Sequence, residues 1–162
     1  MTTREVLTVR VADAAVAEGD RELVTLGLGS CVAVVLHHAG RGAGGLAHVL
    51  LPDETLARDP ANRAKFATTA VPLLLERLAA LGASTGVTAR LVGGARMFAP
   101  PVPLAGINMG ERNVVAARDA LSRAAIPIVA EDTGGAHGRS VVFHVGTGRV
   151  TVRSLRAGDR AL

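Results

Sequence analysis

Two residues of this chain, Cys31 and His48, are a thiol and an imidazole of the kinds that together perform nucleophilic catalysis. A free thiol is mostly protonated at neutral pH; an adjacent imidazole lowers its pKa and later delivers a proton to the leaving group. Thr25, on the strand predicted before Cys31, is expected to hold the imidazole in the required tautomer. The bend at Gly29 and Ser30 is expected to present backbone N–H groups as an oxyanion hole. These residue types predict a catalytic cysteine site.

The pairing register of the predicted hairpin determines how close Cys31 and His48 lie. Residues 31–38 form a β-branched apolar strand, and residues 44–51 are its expected partner, ended by a proline. With Ala39-Gly40 at the centre of the turn, Cys31 falls directly opposite His48. Directly opposed residues share a face, with Cβ atoms about 4.5–5.5 Å apart. In this register the thiol and the imidazole are within reach of each other.

Other interpretations of the same residues remain open. The glycine-rich run 40–45 also allows a turn centred two residues later, which would place Val35 opposite His48 and leave Cys31 about 13 Å away at about 3.3 Å per residue. A lone cysteine is commonly a small buried hydrophobe. A metal site is disfavoured because the histidines lack metal-ligand spacing and the adjacent His37 and His38 point to opposite faces of a strand. We therefore expect no metal.

Length and composition limit the class of protein. The 162 residues are 49% hydrophobic and 20% charged, typical of one soluble globular domain, which we expect to span residues 1–162. The sequence has no apolar stretch of 18 or more residues, so we expect no insertion into a membrane. The N-terminus lacks the apolar core of a signal peptide. With a single cysteine the chain can form no internal disulfide, which fits a cytoplasmic location.

The positive charge of the chain raises the question of nucleic-acid binding. The net charge is +4 and the pI about 10.9, but the cations are scattered and form no basic run. Aromatic residues make up only 2% of the chain, which leaves almost nothing to stack on bases. We therefore expect no nucleic-acid partner.

Strand and helix patterns alternate along the chain, but the helices are too few for a doubly wound parallel sheet. The expected fold is α+β, a mixed β-sheet sandwich flanked by helices. The predicted strands are Glu5–Val11, Glu22–Leu26, Cys31–His38, Gly44–Leu51, Val87–Val92, Ile128–Ala130, Ser140–Val145 and Arg149–Leu155; the predicted helices are Arg63–Leu81 and Glu111–Ala125; Asp53–Asn62 and Ala99–Gly106 are predicted loops.

Six segments, in order and with near-family spacing across residues 20 to 155, resemble the CheD family of chemoreceptor glutamine deamidases. Two departures affect loop geometry more than chemistry, since His38-Ala39 replaces the family's Asp-Pro turn and Phe66 its tyrosine. The segments are Thr25–Val32, Gly45–Pro52, Phe66-Ala67 with Ala70, Gly93–Phe98, Gly110–Val114, and Asp132–Gly135 with Gly138-Arg139.

The resemblance places the family's nucleophilic cysteine, base histidine and supporting threonine on Cys31, His48 and Thr25. It implies a fold similar to deamidating-toxin cysteine hydrolases, and an enzyme, a protein-glutamine glutaminase, that needs no cofactor. The implied reaction converts glutamine side chains of methyl-accepting chemotaxis receptors to glutamate with release of ammonia, in adaptation of chemotaxis; some members also hydrolyse glutamate methyl esters. The implied partners are the cytoplasmic domain of the receptor and a CheC-type phosphatase. A binding module without catalysis is the alternative.

Overall fold

Two five-stranded mixed sheets and two helices make up the part of the protein that the structure, a computed structural model, describes, which is residues 3–97 and 108–162. This architecture confirms the predicted α+β fold. The predicted loop at residues 99–106 lies outside the described residues. In chain order the elements are β1 Glu5–Thr8, β2 Ala14–Glu18, β3 Arg21–Leu28, β4 Val32–His38, β5 Ala43–Val49, α1 Ala67–Ala80, β6 Thr88–Gly93, α2 Met109–Arg123, β7 Ile128–Thr133, β8 Arg139–His144, β9 Arg149–Arg153 and β10 Arg160–Ala161.

The first sheet has the strand order β1-β3-β8-β9-β10 and the second the order β2-β5-β4-β6-β7. Each sheet contains one parallel pair, β1 with β3 and β6 with β7, and its other neighbours are antiparallel. The second sheet lies between the helices and the first sheet. The result is three layers with two apolar interiors, one on each face of the second sheet.

Strand β4 is central in the second sheet, and this explains why its sequence is a continuous apolar run. Val32, Val34 and Leu36 pack into the interior shared with the helices. Ala33 and Val35 pack into the interior shared with the first sheet. Because alternate side chains of a strand point to opposite faces, residues 32–36 of this strand are apolar on both faces, and its two histidines come at the end that leads into the hairpin loop.

Several element boundaries differ from the predicted ones. The helix predicted from Arg63 begins at Ala67, because residues 63–65 form a separate 3₁₀ turn in which the Asn62 side chain accepts a hydrogen bond from the N–H of Ala64 at 3.1 Å. The first strand ends at Thr8, and the short strands β2 and β10 were not predicted. Both of these strands lie at the edge of a sheet, and both are short, so their alternation of apolar and polar residues is weak.

The register of the β4–β5 hairpin differs from both predicted registers. Ala33 lies opposite His48, where the first prediction placed Cys31 and the alternative placed Val35. Cys31 precedes Ala33 by two residues and packs into the same interior. Cys31 and His48 are therefore diagonal neighbours on one face, for which Cα separations of about 7–8 Å, and somewhat shorter Cβ separations, are typical and within reach of long side chains.

The hairpin loop is the reason for this shift, because it is two residues longer than the predicted turn. Ala39–Arg41 form a 3₁₀ turn, followed by Gly42 in the left-handed region at φ 57°. The His38 Nδ1 accepts a hydrogen bond from the Arg41 N–H at 3.0 Å, and the Gly42 N–H donates to the Ala39 carbonyl at 3.2 Å. His38 consequently pairs with Ala43 across a four-residue loop.

Candidate active site

His48 and Thr25 meet in the interior between the two sheets. Both side chains are fully buried, His48 on β5 of the second sheet and Thr25 on β3 of the first. The Thr25 Oγ1 lies 2.6 Å from the His48 Nδ1 and also 2.6 Å from the carbonyl oxygen of Val9. The structure thus places Thr25 against the imidazole that the sequence predicted it to support.

These contacts determine the tautomer of His48. The Val9 carbonyl can only accept, so the single hydroxyl proton of Thr25 is donated to it. The Thr25 oxygen then accepts from the His48 Nδ1–H, and the Nε2 is left with its lone pair. Burial lowers the pKa of His48 below its usual value, which favours the neutral ring. A neutral imidazole with a free Nε2 is a proton acceptor.

The Nε2 of His48 is buried without a hydrogen-bond partner among residues 3–97 and 108–162. A buried nitrogen in this state is uncommon in folded proteins and is often found where a group has a chemical role. The sulfur of Cys31 lies on the same side of the hairpin, but the thiol and the imidazole are not hydrogen-bonded to each other in the described residues.

Cys31 lies in the short turn that carries the chain from β3 in the first sheet to β4 in the second. It is 8% exposed. Burial raises the pKa of its thiol, an effect that its own backbone N–H opposes by favouring the thiolate. The direction is opposite to the lowered pKa expected from the sequence. Burial therefore favours the neutral thiol over the thiolate.

Three hydrogen bonds anchor the backbone of this turn. The carbonyl of Gly29 accepts from the Ala95 N–H at 2.8 Å, and the carbonyl of Cys31 accepts from the Gly94 N–H at 2.8 Å. The carbonyl of Ser30 accepts from the side-chain amide of Asn113 at 2.9 Å. Because the N–H and C=O of a trans peptide point in opposite directions, these bonds fix the directions of the Ser30 and Cys31 N–H groups.

Glycine is required where β6 meets the Cys31 turn. Gly93 has φ 112°, a conformation that other residues rarely adopt. A Cβ at this position would lie 2.3 Å from the carbonyl oxygen of Cys31. Only glycine allows the end of β6 to approach the turn closely enough for the Gly94 N–H to hold it.

Arg139 joins the two sheets beside this end of the site. Its side chain is 3% exposed; the Nε lies 3.1 Å from the Asp132 Oδ1, and the Nη1 donates to the Gly134 carbonyl at 2.8 Å. Arg139 belongs to β8 and Asp132 to β7, so the pair spans the sandwich. The structure therefore gives Arg139 a structural contact between the two sheets.

The surface around the turn has two cavities that share Met97. One, of about 570 Å³, is lined partly by Leu26, Met97 and Leu155; the other, of about 260 Å³, is lined partly by Ser30 and Met97. The Met97 side chain covers Gly29, where a Cβ would lie 3.1 Å from the Met97 Cγ. The smaller cavity therefore reaches the residue that precedes Cys31.

Within residues 3–97 and 108–162, no group of three or more histidine, cysteine, aspartate or glutamate side chains is placed to hold a metal ion. No helix in the same residues is long and apolar enough to cross a membrane.

Comparison with known proteins gives concordant matches. The family described as CheD chemotactic sensory transduction matches residues 50–154. A protein of Geobacter metallireducens named probable chemoreceptor glutamine deamidase CheD 2 is 46% identical over 154 residues, 94% of this chain and 95% of its own. One of Desulforamulus reducens named probable chemoreceptor glutamine deamidase CheD is 42% identical over 148 residues, 91% and 89% of the two chains. The chemoreceptor glutamine deamidase CheD of Halalkalibacterium halodurans is 39% identical over 160 residues, 98% and 99% of the chains.

Proposed function

Since this chain belongs to the CheD family, we propose that it hydrolyses the side-chain amide of glutamine residues in chemotaxis receptors, giving glutamate and ammonia. The relatives are named for this activity. The observation that carries the proposal is the Thr25–His48 hydrogen bond, which leaves the His48 Nε2 unprotonated on the face of the hairpin that also bears Cys31.

In the proposed first step, the Nε2 of His48 takes the proton of the Cys31 thiol while the sulfur attacks the amide carbon of the substrate. Proton transfer must accompany attack, since burial favours the neutral thiol. Catalytic hydrogen bonds are often long in free enzymes and shorten when substrate binds, which fits a diagonal rather than a directly opposed pair. His48 then gives the proton to the departing nitrogen, which leaves as ammonia.

The product of this step is a thioester between Cys31 and the former glutamine. In the second step, His48 takes a proton from water, the resulting hydroxide attacks the thioester carbon, and the proton returns to the sulfur. Glutamate and the free thiol are formed. The same sequence with methanol as the leaving group would hydrolyse a glutamate methyl ester, which we include in the proposed activity.

Both tetrahedral intermediates place negative charge on an oxygen. We assign its stabilisation to the backbone N–H groups of Ser30 and Cys31, whose directions are fixed by the anchored carbonyls of Gly29 and Ser30. Thr25 keeps the imidazole in the reactive tautomer. The cytoplasmic domain of a receptor is the proposed substrate, which would place the protein in the cytoplasm, with a CheC-type phosphatase as a further proposed partner.

The test combines the purified protein with a receptor cytoplasmic fragment and follows receptor peptides by mass spectrometry. We expect a gain of about 1 Da at specific glutamines and a matching release of ammonia. The chain contains no glutamine, so a mass change at glutamine can come only from the receptor. Cys31→Ala should abolish both signals, and Ala33→Ser, two residues further along the chain on β4, should fold less stably yet retain the mass change.

Two results would count against the proposal. If the Cys31→Ala variant deamidated the receptor at the rate of the wild-type protein, the thiol would have no part in the mechanism. A wild-type protein that binds the receptor fragment and changes no glutamine would favour a binding module.

A further inference from the structure

Asn113 is a fully buried amide on the helix face that packs against the second sheet. The buried residues around it on that face are small or apolar, among them Gly110, Val114 and Ala117. A buried amide in such surroundings costs free energy unless its polar atoms are satisfied, and among the described residues only its NH₂ group has partners, while its Oδ1 is buried without one. Asn113 lies within the segment 110–114 that resembles the family, and a polar residue at an apolar position of an amphipathic helix is a signal that could have identified it.

The two hydrogen bonds of Asn113 join the two chain segments that carry the proposed catalytic pair. Its Nδ2 donates to the Ser30 carbonyl at 2.9 Å and to the Leu50 carbonyl at 3.1 Å. Ser30 immediately precedes Cys31, and Leu50 follows His48 by two residues. One side chain on α2 thus holds the nucleophile turn and the end of β5 at a set separation.

We propose that Asn113 is a positioning residue of the site: it fixes the Ser30–Cys31 peptide and ties the Cys31 turn to the strand that bears His48. The catalytic consequence rests on the proposed deamidase function; the anchoring itself does not. Through the Ser30 carbonyl, Asn113 sets the direction of the Cys31 N–H, which favours the thiolate of the same residue.

The chemistry of the amide explains why asparagine suits this position. The NH₂ group supplies two donors for two carbonyls, whereas an aspartate carboxylate has none and a serine hydroxyl has one. Glycine at 110 permits the approach of the helix, because a Cβ there would lie 2.4 Å from the Ala95 carbonyl oxygen. The helix thus rests on the same 94–95 backbone whose N–H groups anchor Gly29 and Cys31.

The first experiment needs neither substrate nor a variant. The chain has three asparagines and no glutamine, so its side-chain amides give only three pairs of NMR signals. We expect the Asn113 pair to exchange with solvent roughly 100-fold more slowly than the pair of Asn62, whose Nδ2 donates to the Ala12 carbonyl at 2.9 Å but is exposed to solvent. Equal exchange would show that the amide is not held, and would overturn the proposal whether or not the protein is a deamidase.

The second experiment compares Asn113→Ser and the size-matched Asn113→Asp with Leu121→Val, which removes one buried methylene further along the same helix. For both Asn113 variants we expect kcat for deamidation to fall roughly 10- to 100-fold, because small misplacement of reacting groups has effects of this size. KM should change less than threefold. The Cys31 backbone amide should shift in the NMR spectrum of both, and Leu121→Val should leave kcat and that signal unchanged.

The outcomes separate a positioning role from a purely structural one. A wild-type kcat in a folded Asn113 variant, or a loss of kcat that only follows the unfolded fraction, would overturn the proposal. If neither variant folds, the amide exchange of the wild-type protein decides. If the wild-type protein shows no deamidation, the proposed function fails, and the Cys31 amide shift and the exchange rates still test the anchoring.

Discussion

Replacing Thr25 with valine removes one hydroxyl and almost no volume, and it tests the support of His48 directly. The Thr25 oxygen accepts from the His48 Nδ1–H and donates to the Val9 carbonyl, each at 2.6 Å, in a fully buried position. Thr25→Val leaves both partners unsatisfied. At about 1–3 kcal/mol for each of the two buried groups, the expected loss of unfolding free energy is about 2–6 kcal/mol, against about 5–15 kcal/mol for a domain of typical stability.

The effect on catalysis is separate from this loss of stability. Without the Thr25 oxygen, the Nδ1–H tautomer loses a hydrogen bond and the ring its orientation. A loss of about 1.4–2.8 kcal/mol of stabilisation corresponds to a decrease of roughly 10- to 100-fold in kcat/KM. Thr25→Ser, which keeps the oxygen, should recover most of the activity.

The assay measures kcat/KM for receptor deamidation by each variant, with urea unfolding to show that each is folded. Imidazole ¹⁵N chemical shifts report the tautomer of His48, which should be Nδ1–H in the wild-type protein and mixed in Thr25→Val. Thr151→Val, the same substitution on β9 of the first sheet, is the control. A folded Thr25→Val protein with kcat/KM within twofold of wild type would refute the assignment of Thr25 to His48.

Three further predictions concern stability and the surroundings of the site. Burial lowers the pKa of His48 and of His37, so the unfolded chain binds protons more readily than the folded one below pH about 6.5. Urea unfolding should therefore show a loss of stability as the pH falls from 7.5 to 5. A flat profile would contradict the burial of the two rings. Arg139→Met should lower the unfolding free energy by about 3 kcal/mol because it leaves Asp132 without its buried partner; a loss below about 1 kcal/mol would show that the pair does not hold the sheets together. Gly93→Ala should reduce deamidation more than tenfold, because the new Cβ would displace the Cys31 carbonyl. The control is Gly134→Ala, since Gly134 also has a positive φ but has open space around it; this substitution should reduce only stability. Equal activities of the two variants would contradict the requirement for close approach at Gly93.

The fold class and the helices were predictable because their signals are local. Apolar residues at helical spacing predicted both described helices to within a few residues, and the two-sided apolar run of β4 predicted a buried strand. Strands β2 and β10 were not predicted: β10 has only two residues, and β2 pairs with β5, about 30 residues further along the chain. The ordered motifs identified the family, which the comparisons confirm.

The roles of the site residues stay predictions, whereas their geometry could not be predicted from the sequence. The sequence brought Thr25, Cys31 and His48 to attention, and the structure supplies the contact between Thr25 and His48. The pKa of Cys31 shifts in the direction opposite to the expected one, because burial depends on the packing of both sheets around the turn. The link from Asn113 to Ser30 crosses 83 positions of sequence, and no local pattern encodes it.

The sequence by itself determined which face of the hairpin carries the pair, and tertiary structure decided how far apart its members lie. The two predicted registers and the observed one differ by steps of two residues, and a strand repeats its side-chain direction every two residues, so Cys31 and His48 share a face in all three. The choice among them depends on the four-residue loop, where the Gly42 carbonyl accepts from the Gly19 N–H at 2.9 Å. That bond comes from the neighbouring β2–β3 turn, which the pairing of β2 with β5 holds beside the hairpin loop, so it lies outside the hairpin's own sequence.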